Sequence, residues 1–101
     1  MTASKILAVK RARLVEAFID AEVRQRWLLR APLQARASRG KRTLRFDWGD
    51  GKSRVNVTIA SASDNSQVAV EHQRLPDART ADQTKAFWRE RLTALKTMLE
   101  R

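Results

Sequence analysis

Residues 78–101, ARTADQTKAFWRERLTALKTMLER, decide the architecture. Phe87, Trp88, Leu92, Leu95, Met98 and Leu99 recur at three- and four-residue spacing, which puts them on one broad helical face. Lys85, Arg89, Glu90, Lys96 and Glu100 fill the other positions, and no Gly or Pro interrupts the run. A helix with two adjacent aromatics needs a large apolar surface to lie on. The segments upstream read as strands that supply it.

Working back from that helix, the apolar period is two. Val68, Val70 and His72 alternate with Ala69, Glu71 and Gln73, and Pro76-Asp77 closes the strand before the helix begins. Val55, Val57 and Ile59 alternate with Arg54, Asn56 and Thr58, and Leu44, Phe46 and Trp48 alternate with Thr43, Arg45 and Asp47. These are half-buried strands. Ser61–Ser66 reads as a polar turn, and Gly49-Asp50-Gly51 as a tight one, where glycine supplies positive φ. Leu33, Ala35 and Ala37 form a weaker strand before a turn around Gly40. One sheet face then holds Phe46, Trp48, Val55, Val57, Val68 and Val70, and the long helix is expected to cover it.

Further upstream, Ser4–Val9 is a short strand with Ile6, Leu7 and Val9 as its apolar members. Ala12–Ile19 is a helix whose Leu14, Val15, Phe18 and Ile19 share a face. Asp20 breaks the pattern and can cap the next helix, Ala21–Leu29, because its carboxylate accepts from free backbone amides. Val23, Trp27 and Leu28 face inward there, and Pro32 ends the stretch. The order is strand, two short helices, four antiparallel strands, long helix. Short loops favour a meander. The fold class is α+β, with a curved antiparallel sheet of about five strands and a C-terminal helix across its concave face.

At 101 residues the chain holds one core and reads as a single domain over 1–101. Without cysteine, disulfide and thiolate chemistry are excluded. No apolar run approaches a membrane span, and Met-Thr-Ala-Ser-Lys lacks the apolar core of a secretion signal. A cytoplasmic location and no membrane are the default expectation. The net charge of +10 is uneven. Residues 1–45 hold twelve Lys/Arg against Glu16, Asp20 and Glu22, and residues 46–101 hold nine against eight acids. Arg36, Arg39, Lys41, Arg42 and Arg45 crowd ten positions and are candidates for binding a polyanion or an acidic protein partner. A solvated surface is the plainer reading of the same residues.

Catalysis has little to stand on. One His and no Cys leave neither a His-based metal cluster nor a Cys–His nucleophile. His72 takes an inward strand position and reads as a core histidine, while Glu71 and Asp47 point outward. No enzyme, metal or cofactor is expected. Trp27, Trp48 and Trp88 line an apolar pocket or fill the core, with Phe46, Phe87, Leu92, Leu95 and His72 completing either version.

Three stretches resemble a known family. They are Leu14-Val15-Glu16-Ala17-Phe18-Ile19-Asp20-Ala21-Glu22 with Arg26-Trp27, then Val68–His72 through Leu75-Pro76, and Ala86-Phe87-Trp88-Arg89-Glu90-Arg91-Leu92 to Leu95. Together they resemble the helix-grip domains of the START-like (SRPBCC) superfamily, in the branch related to the activator of the heat-shock-protein-90 ATPase. This chain is shorter than typical members by about one hairpin, and Lys10-Arg11-Ala12-Arg13 replaces the Pro usual before the first helix. The resemblance implies a fold and a binding role, not a reaction. Two functions are expected: a small lipophilic ligand held between sheet and helix, or a co-chaperone-like protein partner, the chain being monomer or homodimer. Nucleic-acid or polyanion binding through residues 36–45 ranks behind both.

Overall fold

The structure, a computed structural model, describes residues 1–28, 33–36, 43–49, 53–62 and 64–100. The elements are β1 (Thr2–Leu7), α1 (Arg11–Ile19), α2 (Ala21–Trp27), β2 (Leu33–Arg36), β3 (Thr43–Trp48), β4 (Ser53–Ala62), β5 (Asn65–Gln73) and α3 (Ala78–Leu99). All five strands join one antiparallel sheet in the order β1-β5-β4-β3-β2. The meander β2 to β5 is as the short loops require, and β1 is added at the β5 edge. This is the expected α+β helix-grip architecture.

Register aligns the apolar rows. Leu44 stands opposite Val57, Val57 opposite Val70, and Val70 opposite Ala3. The next row runs Phe46, Val55, His72. Because side chains alternate between faces, these rows lie on one side, and Phe46, Val55, Val57, Val68, Val70 and Ile59 are all buried. α3 covers them with Trp88, Leu92, Leu95 and Leu99, while Phe87 and Met98 pack at the margin. The cover is shared. α3 lies closest to β1 and α2, and α1 lies against β4 and β5 with Leu14, Ala17 and Phe18 buried.

Capping fixes the helix starts. Asp20 Oδ1 accepts from the amides of Glu22 (2.9 Å) and Val23 (3.3 Å), which turns the chain from α1 into α2. Asp77 Oδ1 accepts from Thr80 N at 2.7 Å and starts α3. Arginine side chains tie distant elements by donating to carbonyls. Arg11 Nε reaches Ile59 O at 3.1 Å, Arg13 Nη1 reaches Leu99 O at 3.1 Å, and Arg91 Nη1 reaches Trp27 O at 3.2 Å. Part of the arginine excess is therefore structural.

Some boundaries move. β1 spans Thr2–Leu7 rather than Ser4–Val9, because Ala3 and Leu7 take the inward positions opposite Val70 and Ser66. Ile6 falls on the other face and is 59% exposed. β4 and β5 run further into the 61–66 segment than a polar turn allows, with Ala62 opposite Asn65. Ser66 takes an inward position, where its Oγ donates to Val9 O at 2.9 Å. α2 ends at Trp27; Leu29 lies outside the described residues. Among the described residues no helix is long and apolar enough to cross a membrane.

Candidate functional site

Two regions deserve comparison: the aromatic layer under α3 and the polar outer face of the sheet. In the first, His72 on β5 and Ser53 on β4 face the helix. Trp88 Nε1 donates to His72 Nδ1 at 3.2 Å, and His72 Nε2 lies 2.9 Å from Ser53 Oγ. An indole N–H only donates, so Nδ1 must accept. The proton then sits on Nε2, which donates to Ser53, and the ring is neutral. Burial, first, and the Met1 ammonium, second, lower the His72 pKa from 6.5 to about 4. That ammonium donates to His72 O at 3.1 Å. Trp48 packs edge-on against His72 and Phe87, with ring centroids 5.0 Å and 5.7 Å away, and lies tilted against Trp88 at 5.8 Å. Both imidazole nitrogens are occupied, and Glu71 points to the opposite face. The network's chemistry is to hold Trp88, and through it α3, to the sheet.

Trp27 and Phe46 join a second group. Phe18 meets Trp27 edge-on at 4.8 Å and Phe46 at 6.4 Å, and Trp27 Nε1 donates to Ala17 O at 2.9 Å. Leu92 and Leu95 are buried on α3. The eight pocket candidates thus divide into a Trp48–His72–Phe87–Trp88 set, a Trp27–Phe46 set and two leucines. Sequence reading missed Ser53 as a partner of His72 and Phe18 as the centre of the second set. Strand parity with Val55 and helical spacing from Leu14, respectively, carried the signal for both.

On the outer face, a row runs Arg45, Asn56, Glu71, Thr2 across the sheet. Of the five basic candidates, Arg36 stands opposite Arg45 in register, and Arg45 is exposed on β3. Arg39, Lys41 and Arg42 lie outside the described residues. Arg45, Arg54, Asn56, Thr58, Glu71 and Gln73 border a shallow groove of about 470 Å³. Arg54 Nε is buried there without a hydrogen-bond acceptor. Arg54 was not singled out from sequence, although its outward parity was. Among the described residues no group of three or more His, Asp or Glu side chains is placed to hold a metal.

No family model and no curated protein matches the sequence. Solved structures do match. The Aha1 dimer from Colwellia psychrerythraea aligns over 95% of this chain and 92% of its own, with a TM-score of 0.80 at 7% identity. A protein from Mesorhizobium loti aligns over 100% and 98%, with a TM-score of 0.80 at 17% identity. An HSP90 activator from Plasmodium falciparum aligns over 99% and 95%, with a TM-score of 0.78 at 14% identity. Identities this low speak to the fold alone. Over nearly its whole length, the chain shares the helix-grip fold of these solved structures.

Proposed function

We propose that the chain is a non-enzymatic binding domain that docks a protein partner on the outer face of its sheet, in the manner of a co-chaperone. The observation that carries this reading is the division of the two sheet faces. The inner face is covered by α3 and α1, with rings packed against rings. The outer face is open, polar and grooved, with Arg45 and Arg54 at the β3–β4 ladder. Charged, laterally spaced groups on a rigid sheet favour orientation and fast association with a complementary surface. The likeness to an HSP90 activator supports an HSP90-type chaperone as the first partner to try.

An apolar ligand under α3 would have to part Trp48 from Phe87, which it meets edge-on, and from Trp88, against which it lies tilted. The test is to titrate isotope-labelled protein with an HSP90-type chaperone and map which amides broaden. Broadening centred on Arg45, Asn56 and Glu71, with a rise in the chaperone's ATP turnover, is the expected result. Broadening confined to α3 and inward residues, or none at all, refutes it. A lipophilic probe that moves the Trp48 and Trp88 indole signals would transfer the function to the inner layer.

A further inference from the structure

We infer that the outer-face groove is a carboxylate site: Arg45 and Arg54 together receive the side chain of an aspartate or glutamate presented by a protein partner. This deepens the outer-face reading and rests on it. Arg45 stands opposite Asn56, and Arg54 lies two residues before Asn56 on the same strand. The two arginines are thus diagonal neighbours on one sheet face, a separation of about 7–8 Å that long side chains close easily. Both border the same groove.

The need for an acceptor is written in Arg54. Its Nε is buried with no hydrogen-bond partner. Arg54 as a whole is half-buried, but a donor atom removed from water and left unmatched is costly, and an acceptor that reaches it offsets that cost. A carboxylate fits because its two oxygens match the guanidinium fork. Nothing among the described residues already fills the role. Glu71, at the groove's edge, accepts from Gln73 Nε2, and Asp47, opposite Arg54 in register, does not border the groove.

Charge decides which anion. Two guanidinium groups with Glu71 beside them leave roughly one net positive charge in the groove. That matches a single carboxylate and leaves the further charges of a phosphate chain or a nucleic-acid backbone uncompensated. Asn56 and Thr58 place amide and hydroxyl groups beside the arginines, where a peptide backbone can use them.

The experiment follows the Arg54 Nε–H resonance while the capped peptides Ac-Ala-Glu-Ala-NH2 and Ac-Ala-Gln-Ala-NH2, sodium acetate and inorganic phosphate are titrated separately. The glutamate peptide is expected to shift it saturably, and the glutamine peptide to leave it in place. Acetate and phosphate should bind more weakly than the glutamate peptide. Arg45→Gln should cut affinity roughly tenfold, the size of one lost charge-assisted hydrogen bond, read on Arg54. Arg54→Lys keeps the charge but loses the fork, so it should cut affinity similarly, read on the Arg45 signal. Unchanged Val57 and Val70 amide signals would show that both variants fold.

Equal shifts from both peptides, tighter binding of phosphate, or no shift at all would overturn the assignment. So would wild-type affinity in Arg54→Lys. Acetate binding as well as the glutamate peptide would overturn the peptide part of it. If the chaperone still docks on this face while the glutamate peptide does not bind, only the carboxylate site fails. If the peptide binds but no chaperone docks, the site stands and the co-chaperone reading fails.

Discussion

Acid should loosen this fold through one ring. In the unfolded chain His72 titrates near 6.5, and in the fold at about 4, because burial and the Met1 ammonium disfavour its charged form. Between those values the unfolded chain takes up a proton that the fold refuses. Stability therefore falls as pH falls from 6.5 to 4, and above 6.5 this ring makes stability neither rise nor fall. Each pH unit well inside that window costs about 1.4 kcal/mol, and rounding at the two ends brings the loss at pH 4 to about 3 kcal/mol. The geometry gives the reason. A proton on Nδ1 would confront the Trp88 N–H, which now donates to that atom at 3.2 Å. Urea unfolding of the wild type and of His72→Gln, at pH 7 and pH 4, isolates the effect. Asp77 and Glu100, held below the ordinary carboxylate range by the Thr80 amide and by Lys96, titrate in both proteins and cancel. The wild type should lose about 3 kcal/mol more than the variant over that interval. Parallel losses would refute the reasoning, and so would a His72 ring that gains its proton by pH 6 with the Trp88 indole signal unmoved.

Asp20→Ala removes the cap of α2 and should cost about 1 kcal/mol in chemical denaturation, with Asp20→Asn nearly neutral. Leu95→Ala, at a fully buried site, should cost about 2–5 kcal/mol, whereas Ile6→Ala on the outer face should stay within about 0.5 kcal/mol; thermal melts separate the two. Ser66→Ala leaves Val9 O without its buried donor and should cost about 1–3 kcal/mol by urea titration.

Elements governed by local periodicity were legible in the sequence. The alternation of Leu44, Phe46 and Trp48 marks β3 at its observed bounds, Thr43–Trp48. The three- and four-residue spacing of Trp88, Leu92, Leu95 and Leu99 marks α3, and Asp20 announces the α1–α2 turn through its own chemistry. What stayed hidden depends on register between distant strands. Ile6 has the hydropathy of a core residue, but pairing with Gln67 turns it to the outside. Ser53 and Ser66 look like turn or surface residues, and only their inward parity brings them to His72 and Val9 O. The candidate site divides along the same line. His72, Trp48 and Trp88 were readable as inward residues, but their mutual hydrogen bonds and ring contacts were not. Charge density marks residues 36–45, whereas the buried, unmatched Nε belongs to Arg54, which lies outside that run.

The pairing of β1 with β5 carries a kinetic consequence. Leu7 meets Ser66 and Thr2 meets Glu71, so the first strand made has no neighbour until the fifth exists. The ties from Arg13 to Leu99 and from Arg91 to Trp27 likewise span most of the chain. Contacts this far apart in sequence close loops before they return any stabilisation, which slows folding. As the chain emerges from its N-terminus, Ala3, Leu7, Leu14 and Phe18 stand bare while the meander assembles. Refolding should then be limited by the docking of β1 and α3, and that interval is when aggregation competes most strongly.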